Sequence, residues 1–276
     1  MQIISRGIEI LRNDGPLSFF RAILRFIYWN LGVRTANITL RYKMTGSTTA
    51  VTVENISANM FITTYAEFER FYDLKGEREI LRDVLDQVSE DDVFYDIGAN
   101  VGLYSCMISS AIPKCEVYPF EPHPTNVEAL KRNLQLNDIG GQIFQLALSD
   151  EEGEFELSSE GAEAGLGEHS LDTSGTGSTV PVTVRRLDDL RKDHDIPIPT
   201  VVKIDVEGAE LDVIRGAKET FSDPNCKVIY CEVHPERIET FGGSYDELKD
   251  CLTDLGFALE ILDQEVGKRI MIKATK

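Results

Sequence analysis

The chain has 276 residues, 42% of them hydrophobic, enough for one large α/β domain with an N-terminal extension and too few for two full domains. Its net charge of −19 excludes nucleic acid as the partner, because phosphate binding needs a basic surface. No apolar run reaches the ~20 residues of a membrane span, and the N-terminus lacks the basic, apolar and small-residue succession of a secretion signal, so a cytoplasmic protein is expected.

Residues 1–50 carry seven Lys or Arg against two acids, a net +5, which leaves 21 bases against 45 acids, a net −24, in the remainder. Within the basic segment, LSFFRAILRFIYWNL (17–31) predicts a strongly apolar helix. Ser18, Arg21 and Arg25 share one narrow stripe of it, and the rest, including the only tryptophan, Trp29, is largely apolar. Such a face requires cover, from the domain itself, from a membrane surface or from a second copy of the chain.

The runs ITLRYKM and TAVTVEN around Gly46 and Ser47 predict a hairpin over 38–54. Helices are expected at 67–74 and 77–88. From Val93 onward strands and helices alternate, with strands at 93–97, 116–121, 143–148, 201–205 and 227–233 and helices at 103–112, 125–137, 210–221 and 245–255. Strands near 258–262 and 269–272 close the chain. A Gly-, Ser- and acid-rich loop between Ser158 and Ser178 separates FEL (155–157) from VPVTVRRL (180–187), two runs expected to pair as an added antiparallel ribbon. This alternation predicts an α/β protein with a doubly wound, mostly parallel sheet. Residues 1–75 would form a helix-and-hairpin extension and 76–276 the functional domain.

The sharpest chemical signal is the segment 96–102, DIGANVG, directly after a strand and opening a helix. Gly98 and Gly102 permit a tight turn, and the helix start offers free N–H groups. The glycine spacing is GxxxG, one residue short of the dinucleotide pattern GxGxxG. Asp96, two residues before the first glycine, would repel a pyrophosphate but suits the ammonium of an amino-acid-like cofactor. S-adenosyl-L-methionine is therefore favoured over a nicotinamide dinucleotide. Glu121, 25 residues after Asp96 and at the end of the second strand, fits a ribose acceptor. Asn100 lies within the loop, and Asp150, after the third strand, stands where an adenine amine would be met, or caps a turn.

On the acceptor side, KIDVEGAE (203–210) ends the fourth strand with Asp205 and Glu207 two residues apart. Capping of the next helix by Asp205 and dipole pairing with it by Glu207 and Glu210 are the competing readings, and for Glu210 the dipole pairing is preferred. His234, in EVHP after the fifth strand, is a candidate general base if neutral. The five cysteines (Cys106, Cys115, Cys226, Cys231, Cys251) contain no CxxC pair, and the four histidines lack paired ligand spacing, so no zinc site follows. Paired carboxylates suit a divalent ion, but without a third clear oxygen ligand no metal is expected.

With VFYDIGANVGLYS (93–105), FEPHPTNVEALKRN (120–133), ALSDEEGEFEL (147–157), VRRLDDL (184–190), KIDVEGAELDVIRGA (203–217) and YCEVHPE (230–236) in order, the chain resembles the FkbM family of class I methyltransferases. The resemblance implies a seven-stranded methyltransferase sheet and methyl transfer to oxygen, commonly a hydroxyl of a sugar, glycan or natural-product scaffold. Asp96, Gly98, Asn100, Gly102, Glu121 and Asp150 are then assigned to the cofactor, and Asp205, Glu207 and His234 to acceptor positioning and proton removal. The partner expected is a small-molecule or glycan acceptor, with membrane-surface contact or a homodimer through residues 17–31. Esterification of a uronic carboxylate and a non-catalytic protein retaining the fold are the alternatives.

Acids outnumber bases by 24 beyond residue 50, and arginines (16) exceed lysines (12), a composition suited to a halophilic cytoplasm where salt screens self-repulsion. The melting temperature is expected to climb steeply from dilute buffer to molar potassium chloride. A flat response across that range overturns the salt-adapted reading.

Overall fold

The computed structural model describes residues 33–158, 179–265 and 269–276. The apolar segment 17–31 and the loop between Ser158 and Ser178 lie outside them. Two compact units are present, residues Met1–Ser47 and Thr48–Lys276.

In the first unit, the strand expected over 38–44 is a helix, α1 (Val33–Met44). Local side-chain chemistry favours it over the β-branched pattern. Arg41 Nε donates to Asn37 Oδ1 one turn earlier (2.9 Å), and Arg41 and Lys43 stand in the last turn, where cations meet unsatisfied carbonyls.

The second unit opens with the hairpin, one strand later than expected: β1 (Thr48–Val53) and β2 (Ile56–Phe61). The two-residue loop Glu54-Asn55 turns with Glu54 at φ 53°, a sequence without the Asn-Gly signal of such turns. Val51, Val53, Ala58 and Met60 point inward and are buried. The free edge of β2 is satisfied by side chains: Asn59 N–H donates to Asn137 Oδ1 (2.7 Å) and Phe61 N–H to Asn133 Oδ1 (2.8 Å). The hairpin lies within the second unit, Thr48–Lys276.

Two helices follow, α2 (Tyr65–Asp73) and α3 (Glu77–Gln87). A capping box starts α2, where Glu67 N–H meets Thr64 Oγ1 (3.1 Å) and Glu67 Oε2 accepts from Thr64 N–H (2.9 Å). The βα units are β3 (Val93–Ile97), α4 (Leu103–Ala111), β4 (Glu116–Phe120) and α5 (Pro124–Leu136). Next come three strands and a helix, β5 (Ala147–Leu148), β6 (Gly153–Ser158), β7 (Thr179–Arg185) and α6 (Leu187–Asp193). The chain continues through β8 (Val201–Ile204), α7 (Glu210–Gly216), α8 (Lys218–Ser222), β9 (Val228–Val233), α9 (Pro235–Thr240) and α10 (Tyr245–Asp254). It ends with β10 (Ala258–Glu265) and β11 (Arg269–Thr275).

The main sheet has the order β10-β11-β9-β8-β3-β4. Strands β4, β3, β8 and β9 are mutually parallel, and β11 is antiparallel to both β9 and β10. Successive residues feed opposite faces. Phe94, Val201, Tyr230 and Met271 join the hairpin, α3, α4 and α5 in one core. Tyr95, Val202, Ile229, Cys231 and Ile272 join α6, α7, α8 and α10 in the other. Both faces are covered, as the double winding requires.

The sheet is mixed and six-stranded among the described residues, where seven strands were expected. The missing strand, predicted over 143–148, makes a single parallel bridge, Phe144 to Phe120. Leu146 N–H turns back onto the Phe144 carbonyl (3.0 Å), which also accepts from Glu121 N–H (3.0 Å). The chain kinks there and leaves the sheet, and β5 pairs with β7 in a separate three-stranded sheet of order β5-β7-β6. The ribbon of β6 and β7 is antiparallel, as the sequence predicts.

Gly98 lies where β3 turns toward α4, at φ 76°. A Cβ at this position would stand 1.8 Å from the Asp205 carbonyl oxygen, so backbone meets backbone with nothing able to yield. Gly98→Ala is expected to lower stability by at least about 2 kcal/mol, read as a reduced urea midpoint at unchanged slope; a midpoint equal to wild type contradicts this packing.

Candidate active site

Strands β3, β8 and β9 are adjacent, and their C-terminal ends, with that of β4, carry the chemistry-bearing residues. The strand order reverses between β3 and β8, since β4 continues on one side and β8 on the other. A crevice at such a point is the usual ligand position in open α/β sheets.

Asp96 is fully buried. Its Oδ2 accepts from Ser105 N–H (3.0 Å) and Ser105 Oγ–H (2.6 Å), so it ties the first turn of α4 to β3. Burial pushes the carboxyl up, and the Lys203 charge and the Ser105 hydrogen bonds counter this in part. Asp96 Oδ1 and Asn100 Oδ1 are buried with no hydrogen-bond partner among the described residues. Two acceptor oxygens left over beside a turn at positive φ fit a ligand bearing ammonium and hydroxyl donors.

Glu121 is also buried, just past β4. Its Oε2 accepts from Asn100 N–H (2.9 Å), and its Oε1 from His123 N–H (2.8 Å) and Asn126 Nδ2 (3.3 Å). It therefore braces the loop after β3 through Asn100. Gly102 caps α4 at φ 86°, and a Cβ there would meet Leu130 Cδ1 at 2.3 Å. The two glycines make room for protein, the Asp205 carbonyl at Gly98 and the Leu130 side chain at Gly102. Asp150 stands apart, half-buried beside the end of α7, where a Cβ on Gly216 would come within 3.2 Å of its Cα.

Past the end of β8, Asp205 and Glu207 do not cap the next helix, whose N-cap is Ala209 with no side-chain bond. Asp205 Oδ2 accepts from Lys203 Nζ (3.1 Å). Burial works to raise the Asp205 carboxyl, and Lys203, His234 and Arg70 outweigh it and hold the group below its usual value. Glu207 reaches the site through a left-handed turn (φ 56°) rather than by strand alternation. Its Oε2 meets Arg237 Nη1 (2.7 Å) and His234 Nε2 (3.2 Å). Burial and the neighbouring Asp205 charge push its carboxyl up to about 7.

The ring of His234 stands between two carboxylates, Glu207 at Nε2 and Glu210 at Nδ1 (2.7 Å). Burial opposes its protonation, but Glu210 and Glu207 prevail and push the imidazole up to about 9. The neutral base expected from sequence is thus a cation in this arrangement. Glu210, read from sequence as a helix-dipole partner, is fully buried and holds both the ring and Gly208 N–H (3.0 Å).

Lys203 was not singled out from sequence. Its ammonium is buried between Asp205 and the Gly98 carbonyl (3.5 Å) and lies 4.9 Å over the Tyr104 ring. The available signal was a lone lysine in the apolar strand VVKI, two residues before an acid and so on the same face.

This site belongs to an S-adenosylmethionine-dependent methyltransferase of the class I fold, an enzyme whose cofactor loop follows the first strand of the sheet. A family model described as the methyltransferase FkbM domain matches residues 96–259, and the chain belongs to that family. The hexuronic acid methyltransferase AglP of Haloferax volcanii is 31% identical over 186 residues, covering 66% of this chain and 72% of that protein. The 31-O-demethyl-FK506 methyltransferase FkbM of Streptomyces tacrolimicus is 28% identical, covering 52% of this chain and 65% of its own length. The 2-O-methyltransferase NoeI of Sinorhizobium fredii is 27% identical, covering 54% and 65% respectively.

The Glu121 carboxyl, pushed up to about 7 by burial against the lowering effect of its N–H donors, gives a pH test. Its folded value lies above its ordinary 4.5, so its contribution to stability is full below about 4.5 and lost as pH rises through about 7. Hydroxyl donors favour the ionised form. If Glu121 receives the ribose, S-adenosylhomocysteine should bind up to about tenfold more weakly for each unit below pH 7 and level off above it. Calorimetric affinities that are flat from pH 5.5 to 8 remove Glu121 from the cofactor site.

Proposed function

We propose that this enzyme methylates a hydroxyl oxygen of a sugar, glycan or natural-product-like acceptor. The observation that carries the reading is the contact between the two halves of the site: the carbonyl of Asp205 lies against Gly98 of the cofactor loop, so Asp205, Glu207 and His234 sit beside the place where the methyl donor belongs. AglP, named for a hexuronic acid, and NoeI, named for 2-O-methylation, support an oxygen on a carbohydrate.

When bound, S-adenosylmethionine supplies an electrophilic methyl carbon. The protein's own part is to hold the acceptor oxygen in line and take up its proton. In this reading Asp96, Gly98, Asn100, Gly102 and Glu121 form the donor side, with Asp150 at the adenine edge. Asp205, Glu207 and His234 form the acceptor side. A halophilic, cytoplasmic setting belongs to the same proposal and rests on composition. Among the described residues no helix is long and apolar enough to cross a membrane. Docking of residues 17–31 on a membrane surface or a second copy rests on the sequence alone.

Incubation with methyl-labelled S-adenosylmethionine and a panel of hexoses, hexuronic acids and cell-derived glycans tests the reading. Transfer of label in an alkali-stable form, falling at least about 100-fold in Asp205→Asn, is the expected result. Alkali-labile label would instead identify a methyl ester on a carboxylate and overturn the hydroxyl assignment.

A further inference from the structure

One carboxylate oxygen from each of Asp205 and Glu207 and one ring nitrogen of His234 lie within 4.8 Å of one another. The His234 Nε2 to Glu207 Oε2 separation is 3.2 Å; two ligands at right angles, each roughly 2.1 Å from an ion, would stand about 3.0 Å apart. Glu210, with no exposed surface, takes His234 Nδ1 and so fixes the ring with Nε2 facing the two acids. A carboxylate behind the distal nitrogen of a liganding histidine is the recurring outer shell of metal sites. The second oxygen of Glu210 is buried on the same side chain without a partner.

We infer that Asp205, Glu207 and His234 form a binding site for one divalent cation of the Mg2+ or Mn2+ kind. The sequence expectation of no metal rested on the want of a third oxygen ligand; the imidazole supplies the third donor. Carboxylate oxygens with one imidazole and open positions suit Mg2+ and Mn2+. The ion would displace the proton that the imidazole holds between Glu207 and Glu210, and Lys203 and Arg237 each engage a single carboxylate oxygen of the two acids. The site adjoins Gly98 through Asp205, so a hydroxyl bound to the ion would stand beside the cofactor loop with its proton loosened. That catalytic use rests on the proposed transfer to oxygen; the binding site itself does not.

The test uses the full-length protein stripped with a chelator, then titrated with Mn2+ while free Mn2+ is followed by electron paramagnetic resonance. S-adenosylhomocysteine affinity is measured in parallel as a check that the cofactor half is intact. One Mn2+ per chain should bind to the wild type and be competed by Mg2+. Affinity should fall more than about 100-fold in His234→Ala and about 10- to 100-fold in Glu210→Gln, with Asp246→Asn unchanged. Glu207→Gln, on a half-buried turn, replaces His234→Ala if that variant does not fold. Free Mn2+ undiminished at millimolar protein, or binding retained in both His234→Ala and Glu207→Gln, overturns the site. Mn2+ bound by a protein that transfers no methyl group would leave the site standing and overturn the proposed function alone.

Discussion

A single buried ammonium organises this active site. Lys203 projects from β8 with its ammonium on the Asp205 carboxylate, and its cost of burial is offset by the charges of Asp205 and Asp96. Removing one partner of such an arrangement leaves an uncompensated charge in a dry interior, which is far more damaging than loss of an exposed pair. Because Asp96 also holds the first turn of α4 through Ser105, and Asp205 abuts Gly98, the lysine links the loop after β3 to the end of β8. The ring of Tyr104 lies against the same ammonium, so the underside of the crevice is built from α4 as well.

Much of the fold was legible because its signals are local. The strand at 93–97, the ribbon of β6 and β7 and the helix starting at Tyr245 follow from period-two and helical apolar spacing with nearby turn residues. What was not legible depends on tertiary choices. Strand-like ITLRYKM is helical, and the run at 143–148 abandons the sheet because the Phe144 carbonyl is shared between Glu121 and Leu146. Neither choice leaves a trace in residue spacing.

The site shows the same division. Asp96, Gly98 and Gly102 share one loop after β3, and that grouping was legible because it lies in contiguous residues. Partnerships across strands are not. Glu210 and His234 are 24 positions apart and meet at 2.7 Å, and only that meeting distinguishes a structural acid from one that orients the histidine. Composition likewise said nothing of how the protein would hold the His234 charge.

The contact of Gly98 with the Asp205 carbonyl has an evolutionary reading. The spacing between the loop after β3 and the end of β8 is set there by main-chain atoms, a gauge that substitutions at the surrounding positions leave in place. Side chains around the joint are then free to change while the separation of the two strand ends stays fixed.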